Sequence, residues 1–152
     1  MQKMKQFTPY ILLALLSLTL AACGGQSETP IAEIDLAEQT QTVSVAGGSY
    51  ADVSVEGLTA ILENKDFPLI NVHIPYEGEI EGTDEFIPFN EIEANLDKLP
   101  TDKNARIVLY CRSGSMSAQA AQTLVELGYN DVWNLDGGMI AWKNSGRPLT
   151  NR

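Results

Sequence analysis

Cysteine and histidine are scarce: the 152-residue chain has two cysteines and a single histidine. Cys23 closes an N-terminal apolar stretch, and Cys111 lies between a strand pattern and a helix pattern, so a structural disulfide between them is not expected. Two cysteines and His73 at these spacings do not assemble a metal site, and no metal or other cofactor is required. Basic residues are also few, 10 Lys and Arg against 20 Asp and Glu, for a formal net charge of -10. Such a balance excludes nucleic acid as a partner, and it excludes anionic lipid held by surface charge alone. Repulsion of a distant anionic substrate is limited by salt to roughly 8 Å, so groups beside a reacting atom matter more than net charge. No apolar run reaches the ~20 residues that a membrane-spanning helix needs.

With 44% hydrophobic residues, the chain has material for one domain of ordinary size. Its first residues stand apart. A short basic start with Lys3 and Lys5 precedes the apolar run Ile11 to Leu20, the pattern of an export signal over residues 1–22. Leu20-Ala21-Ala22-Cys23-Gly24 resembles the lipobox of bacterial lipoproteins, which implies cleavage before Cys23 and acylation of its sulfur. Each buried CH₂ of an acyl chain contributes ~0.8 kcal/mol, so two or three chains would hold the protein on a membrane of the cell envelope, outside the cytoplasm. The alternative is a plain secretory signal with an incidental cysteine. Residues 23–46 are rich in Gly, Ser, Thr, Gln and Glu, too polar to order themselves, and are expected to form a flexible tether.

Residues 47–152 carry the domain. Ser49 to Val53 reads as a strand, and Ser54 is placed to cap a helix whose apolar face is Val55, Leu58, Ile61 and Leu62. Pro68 to Val72 reads as a buried strand, followed by an acidic, glycine-containing loop from His73 to Glu85. Asn90 is a candidate cap for a helix over 91–99, stopped by Pro100. The apolar run Arg106 to Tyr110 predicts a strand, 117–127 a helix ended by Gly128, 131–135 another strand, and Gly137-Gly138 the start of a last helix. Strands alternating with helices imply an α/β fold with an open, mainly parallel sheet covered on both faces. Ligands collect beyond the carboxyl ends of such strands, where Asn71, Cys111 and Asp136 lie.

Cys111 therefore sits where a strand ends and a helix begins, among successive backbone N–H groups and at the positive end of a helix dipole. Such a setting, with a neighbouring arginine, favours an anionic sulfur. A small core cysteine is the competing reading, but Arg112, Ser113, Gly114, Ser115 and Ser117 suit an anion-binding turn better than a core. The stretch Cys111-Arg112-Ser113-Gly114-Ser115-Met116-Ser117 resembles the active-site loop of rhodanese-type sulfurtransferases, Cys-Arg-Ser-Gly-x-Arg-Ser in many single-domain members. Two further segments agree in order and spacing: Leu135-Asp136-Gly137-Gly138-Met139-Ile140-Ala141-Trp142 resembles the closing Leu-x-Gly-Gly-x-x-x-Trp, and Leu69 to His73 stands where the family has an apolar pair and Asp-Val-Arg. The resemblance covers roughly residues 50 to 150 and implies a central five-stranded parallel sheet.

What the resemblance implies chemically is a two-step exchange. The Cys111 thiolate takes the outer sulfur of a donor such as thiosulfate, and the resulting persulfide gives it to a thiol or to cyanide. The sulfur should be reachable from solvent, with the amides of Arg112 through Ser117 stabilising its charge. Arg112 is the candidate donor-binding cation, unless it merely faces solvent. Ser113, Ser115 and Ser117 offer hydroxyls, Ser117 alternatively as a helix cap, and Gly114 permits a positive φ. Met116 replaces a second arginine of the family motif, which favours a less charged or thiol-bearing substrate. Asn71 and His73 replace the usual Asp and Arg, and Glu79-Ile80-Glu81-Gly82-Thr83 stands for His-Ile-Pro-Gly-Ala. His73 supports the loop rather than acting as a base. Trp133 and Trp142 read as core and pocket-wall residues, and the acidic loop as solvated rather than as a calcium site. A cysteine phosphatase would need arginine where Ser117 stands. The remaining competitor is a non-catalytic module that binds a partner or carries sulfur for a neighbouring redox protein.

Overall fold

The computed structural model describes residues 34–151. The lipobox cysteine Cys23 and the export signal over 1–22 lie outside them. The elements are β1 (Thr40–Val45), β2 (Gly48–Val53), α1 (Val55–Leu62), β3 (Leu69–Asn71), β4 (Glu85–Phe86), a 3-10 helix (Glu93–Lys98), β5 (Ile107–Tyr110), α2 (Ser115–Glu126), β6 (Val132–Leu135) and α3 (Gly138–Asn144).

All four residues of β5 are buried, as a strand with both faces covered requires. It pairs in parallel with β6 on one side and β3 on the other, in the sheet order β1-β2-β6-β5-β3-β4. Successive β5 side chains point to opposite faces. Ile107 and Leu109 enter one apolar layer with Ile70, Val72, Ala121 and Leu124 of α2. Val108 and Tyr110 enter the other with Leu58 and Ile61 of α1 and Met139 and Trp142 of α3. Cys111 continues the alternation into the α2 layer. The carboxyl ends of β3, β5 and β6 share one edge of the sheet, so Asn71, Cys111 and Asp136 are brought together there.

Two expectations change. The expected five parallel strands are present as β2-β6-β5-β3-β4, but the sheet gains a sixth and becomes mixed, because Thr40–Val45, assigned above to the tether, pairs antiparallel with β2 from Thr40 opposite Val53 to Val45 opposite Gly48. Its polar residues face water on an edge strand, while Val43 and Val45 reach the α2 layer. That one-sided burial is why composition alone reads as tether. Asn90 caps nothing: the 3-10 helix starts after Ile92 without a side-chain cap and is kinked at Asn95. There the Asn95 amide nitrogen Nδ2 donates to the Glu91 carbonyl at 2.8 Å, taking the acceptor that an α-helical turn would use. Ser54, by contrast, caps α1 by accepting from Gly57 N–H at 3.0 Å.

Candidate active site

α2 begins at Ser115, two residues earlier than the sequence pattern places it, and Gly114 holds its N-cap position with φ 91°. Only glycine adopts that backbone at no cost, and a Cβ there would also lie 3.3 Å from the Gly137 nitrogen. This tight turn sends Gly114 N–H back onto Cys111 Sγ at 3.1 Å. Ser117 now lies inside the first turn of α2 and is not the cap. Its hydroxyl reaches Cys111 Sγ at 3.3 Å and the Gly114 carbonyl at 3.1 Å, so one proton is shared between two acceptors. An amide and a hydroxyl thus converge on the sulfur, a smaller set than the whole run of loop amides.

α3 fixes the other wall of the loop. Met139 N–H donates to the Cys111 carbonyl at 2.9 Å and Ile140 N–H to the Arg112 carbonyl at 3.0 Å. Trans peptide planes then turn the N–H groups of Arg112 and Ser113 away from α3. The approach requires glycine: a Cβ on Gly138 would stand 2.3 Å from the Cys111 carbonyl oxygen. The Gly-Gly pair is therefore a contact surface for the cysteine loop.

Burial contradicts the expectation of an open sulfur. Cys111 is 1% exposed, set beneath a polar rim in which Arg112, Ser113 and Ser115 face solvent and Met116 packs half-buried against the core. Arg112 lies outside the sulfur's own set of donors. Its side chain, 58% exposed, turns to the α3 side and places Nε 3.2 Å from Glu77 Oε2. The same carboxylate oxygen is 3.6 Å from His73 Nε2. His73 is buried, and neither of its ring nitrogens has a hydrogen-bond partner. Asn71 explains its own place: Nδ2 donates to the Gly78 carbonyl and Oδ1 accepts from His73 N–H, both at 3.0 Å. A carboxylate could not make the first bond.

The loop after His73 is not simply solvated. Glu79 is buried, and its backbone exchanges hydrogen bonds with Thr150 at 2.8 and 2.7 Å. Trp142 is a core residue whose Nε1 donates to the Pro148 carbonyl, and Trp133 is half-buried beneath Arg106. The sequence places Glu77 only in a solvated acidic loop and Met139 only in the closing motif, and nothing in it marks Lys143. Together with Arg112, Ile140, Asn144 and Leu149 they line a cavity of about 190 Å³ against the loop. Nothing periodic joins Glu77 to Arg112 or Lys143, since a pairing across distant segments leaves no local signal.

A mainly parallel α/β sheet with a cysteine held by a glycine amide and a helix hydroxyl at a strand's carboxyl end defines a class of α/β proteins with a cysteine-bearing loop at the sheet's carboxyl edge. Residues 55–145 match the Rhodanese-like domain, and the chain belongs to that family of rhodanese-type sulfurtransferases. It is 34% identical over 102 residues to a sulfurtransferase of Allochromatium vinosum, covering 64% of this chain and 92% of that one. It is 32% identical over 99 residues to the thiosulfate sulfurtransferase GlpE of Shewanella oneidensis, covering 62% of this chain and 93% of that one. Among solved structures, a rhodanese-related protein from Thermoplasma volcanium matches with a TM-score of 0.57 at 23% identity over 66% of this chain and 98% of its own, a likeness of fold.

Proposed function

We propose that this chain is a sulfurtransferase in which Cys111 carries sulfane sulfur between a small donor and a thiol or cyanide acceptor. The observation that carries the reading is the pair of donors on Sγ, Gly114 N–H and Ser117 O–H, since a core cysteine has no use for either. With thiosulfate, the Cys111 thiolate attacks the outer sulfur, the S–S bond of the donor breaks, and sulfite leaves with the electron pair. The new S–S bond leaves the negative charge on the terminal sulfur. An acceptor thiolate then attacks that terminal sulfur and expels the Cys111 thiolate, so no outside oxidant or reductant enters. The names of the Allochromatium and Shewanella relatives support this chemistry.

The test is mass spectrometry of the protein after donor treatment. A gain of about 32 Da on Cys111, one sulfur, is expected, with none in Cys111→Ser. Absence of an adduct with thiosulfate and with organic persulfides would favour the second reading, a non-catalytic rhodanese-like binding module. The burial of Cys111 is the observation on that side.

The protein's place is part of the proposal. The lipobox pattern ending at Cys23 supports an acylated protein on the extracytoplasmic side of a cell-envelope membrane, from which a neighbouring redox protein could supply the acceptor thiol. Among the described residues no helix is long and apolar enough to cross a membrane. Labelling with a radioactive fatty acid should mark the wild type and spare Cys23→Ala.

A further inference from the structure

The cavity beside the loop has an electrostatic character opposite to that of the chain. Against a formal net charge of -10, its lining holds Arg112 and Lys143 with one carboxylate, Glu77. Glu77 engages Arg112 through Nε, which leaves the terminal amino groups of the guanidinium unspent. Lys143 has no ion-pair partner among the described residues. The lining thus carries one positive charge in excess, beside the apolar side chains of Met139, Ile140 and Leu149. A space of about 190 Å³ admits a small organic molecule, since a cavity near 150 Å³ holds benzene.

We propose that this cavity binds the carrier end of the acceptor, a small thiol bearing a carboxylate, with Lys143 as the residue that selects its charge. The proposal rests on the sulfurtransferase reading and adds to it the class of acceptor. Met139 and Ile140 hold the carbonyls of Cys111 and Arg112, and Lys143 lies one helical turn further along α3. A turn rises ~5.4 Å, about the span of a three-carbon thiol. A carboxylate paired with Lys143 then leaves the thiol end against Arg112, at the rim of the Cys111 loop, while the methylene chain covers Ile140 and Leu149. Lys143 supplies the second cation that Met116 withholds from the loop itself. A cationic thiol would meet Lys143 and Arg112 with only the already paired Glu77 to compensate.

The experiment compares acceptors of similar size and different charge, 3-mercaptopropionate, 2-mercaptoethanol and cysteamine, on protein first loaded with sulfur. Each thiol is compared with itself across variants, so its own acidity cancels. Lys143→Glu should lower kcat/KM for 3-mercaptopropionate about tenfold and raise it for cysteamine, moving their ratio by more than tenfold; Lys143→Ala should fall between. A charge swap of this kind changes an exposed side chain, and loading of Cys111 read by mass beforehand shows that the site is intact. Equal effects on all three thiols, including no effect, would overturn the proposal. Failure to load Cys111 at all would instead overturn the sulfurtransferase reading. The cavity is then judged by binding alone: 3-(methylthio)propionate, which has no thiol, should shift the methyl NMR signals of Met139 and Ile140 in the wild type and not in Lys143→Glu. Identical titrations in the two proteins would sink it.

Discussion

Ser117 is where one side chain separates sulfur chemistry from packing. Its hydroxyl has a single proton and two acceptors in reach, Cys111 Sγ and the Gly114 carbonyl. When the sulfur is anionic the charged acceptor wins, because hydrogen bonds to charged groups contribute about 1.5–3 kcal/mol against about 1 for neutral ones. Ser117→Ala should therefore slow the loading of Cys111 about tenfold, near 1.4 kcal/mol in the barrier. Gly114 N–H remains, so the step should not vanish. A time course of adduct formation by mass spectrometry checks this, and an unchanged rate would remove the hydroxyl from the site. Tyr110, one residue before the nucleophile, has a different task. Its buried hydroxyl accepts from Ile80 N–H at 3.0 Å and lies 2.7 Å from Thr83 Oγ1, tying the β3–β4 connection to β5. Burial above all pushes the phenol up to about 12 from 10.0. Between those values the folded chain keeps a proton that the unfolded chain has lost, so stability falls as pH rises through this window. The loss is about 3 kcal/mol at most, and Tyr110→Phe should lack it. At neutral pH the same variant leaves the Ile80 amide without its partner and should cost about 1–3 kcal/mol. Urea melts at pH 8 and pH 11 should show the gap between the two proteins narrowing.

The start of α3 shows how an element's position is decided by atoms it lacks. A Cβ on Gly138 would meet the Cys111 carbonyl oxygen at 2.3 Å and Arg112 backbone atoms at 2.9 Å, with φ at 55°. Gly138→Ala should then cost about 2–4 kcal/mol, from backbone strain and from overpacking together. It should also impair loading of Cys111, since the helix must retreat from the loop. Gly146 has a similar φ, 83°, but open space around it. Gly146→Ala should cost only the left-handed penalty, about 1–2 kcal/mol, and leave loading alone. Denaturant titrations with loading assays on both proteins compare the two causes. The Gly-Gly pair was visible in the sequence as a helix start; its contact with the cysteine loop was not, because nothing local records which carbonyl a helix will meet. Signals carried by one segment were readable: the Ser54 cap, the continuous apolar run of β5, the left-handed turn at Gly114. What the sequence concealed depends on partners far along the chain or on which nearby acceptor a side chain takes. Glu77 finds Arg112 across the loop, Ser117 turns inward because α2 starts early, and Asn95 bends its helix by bonding backward with its own amide.

At the scale of the molecule the boundary of the domain lies earlier than composition suggests, and this has a measurable consequence. β1 closes the open edge of β2, places Val43 and Val45 on the α2 layer, and brings Gln39 to the start of α1. There Ser54 N–H donates to the Gln39 carbonyl at 2.9 Å and the Ser54 hydroxyl to Gln39 Oε1 at 2.6 Å. A chain shortened to begin at Gly47 would lose the β1 ladder, two half-buried valines and the support of the α1 cap. Burying a valine fully is worth about 1.5–3 kcal/mol, so two half-buried ones contribute about half of that each, with a further contribution of about 1 kcal/mol from the cap. For a domain of about 100 residues, each kcal/mol moves Tm by about 4–8 °C. Against a chain beginning at residue 34, the shorter one should melt at least 10 °C lower. It should also associate more readily, because β2 becomes an exposed strand edge. Cys111 and its two donors lie in the loop after β5 and the first turn of α2, away from β1, so sulfur loading should survive below the lowered Tm. Thermal scans, sedimentation and adduct mass on the two chains read these separately. Equal melting temperatures would return Thr40–Val45 to the tether.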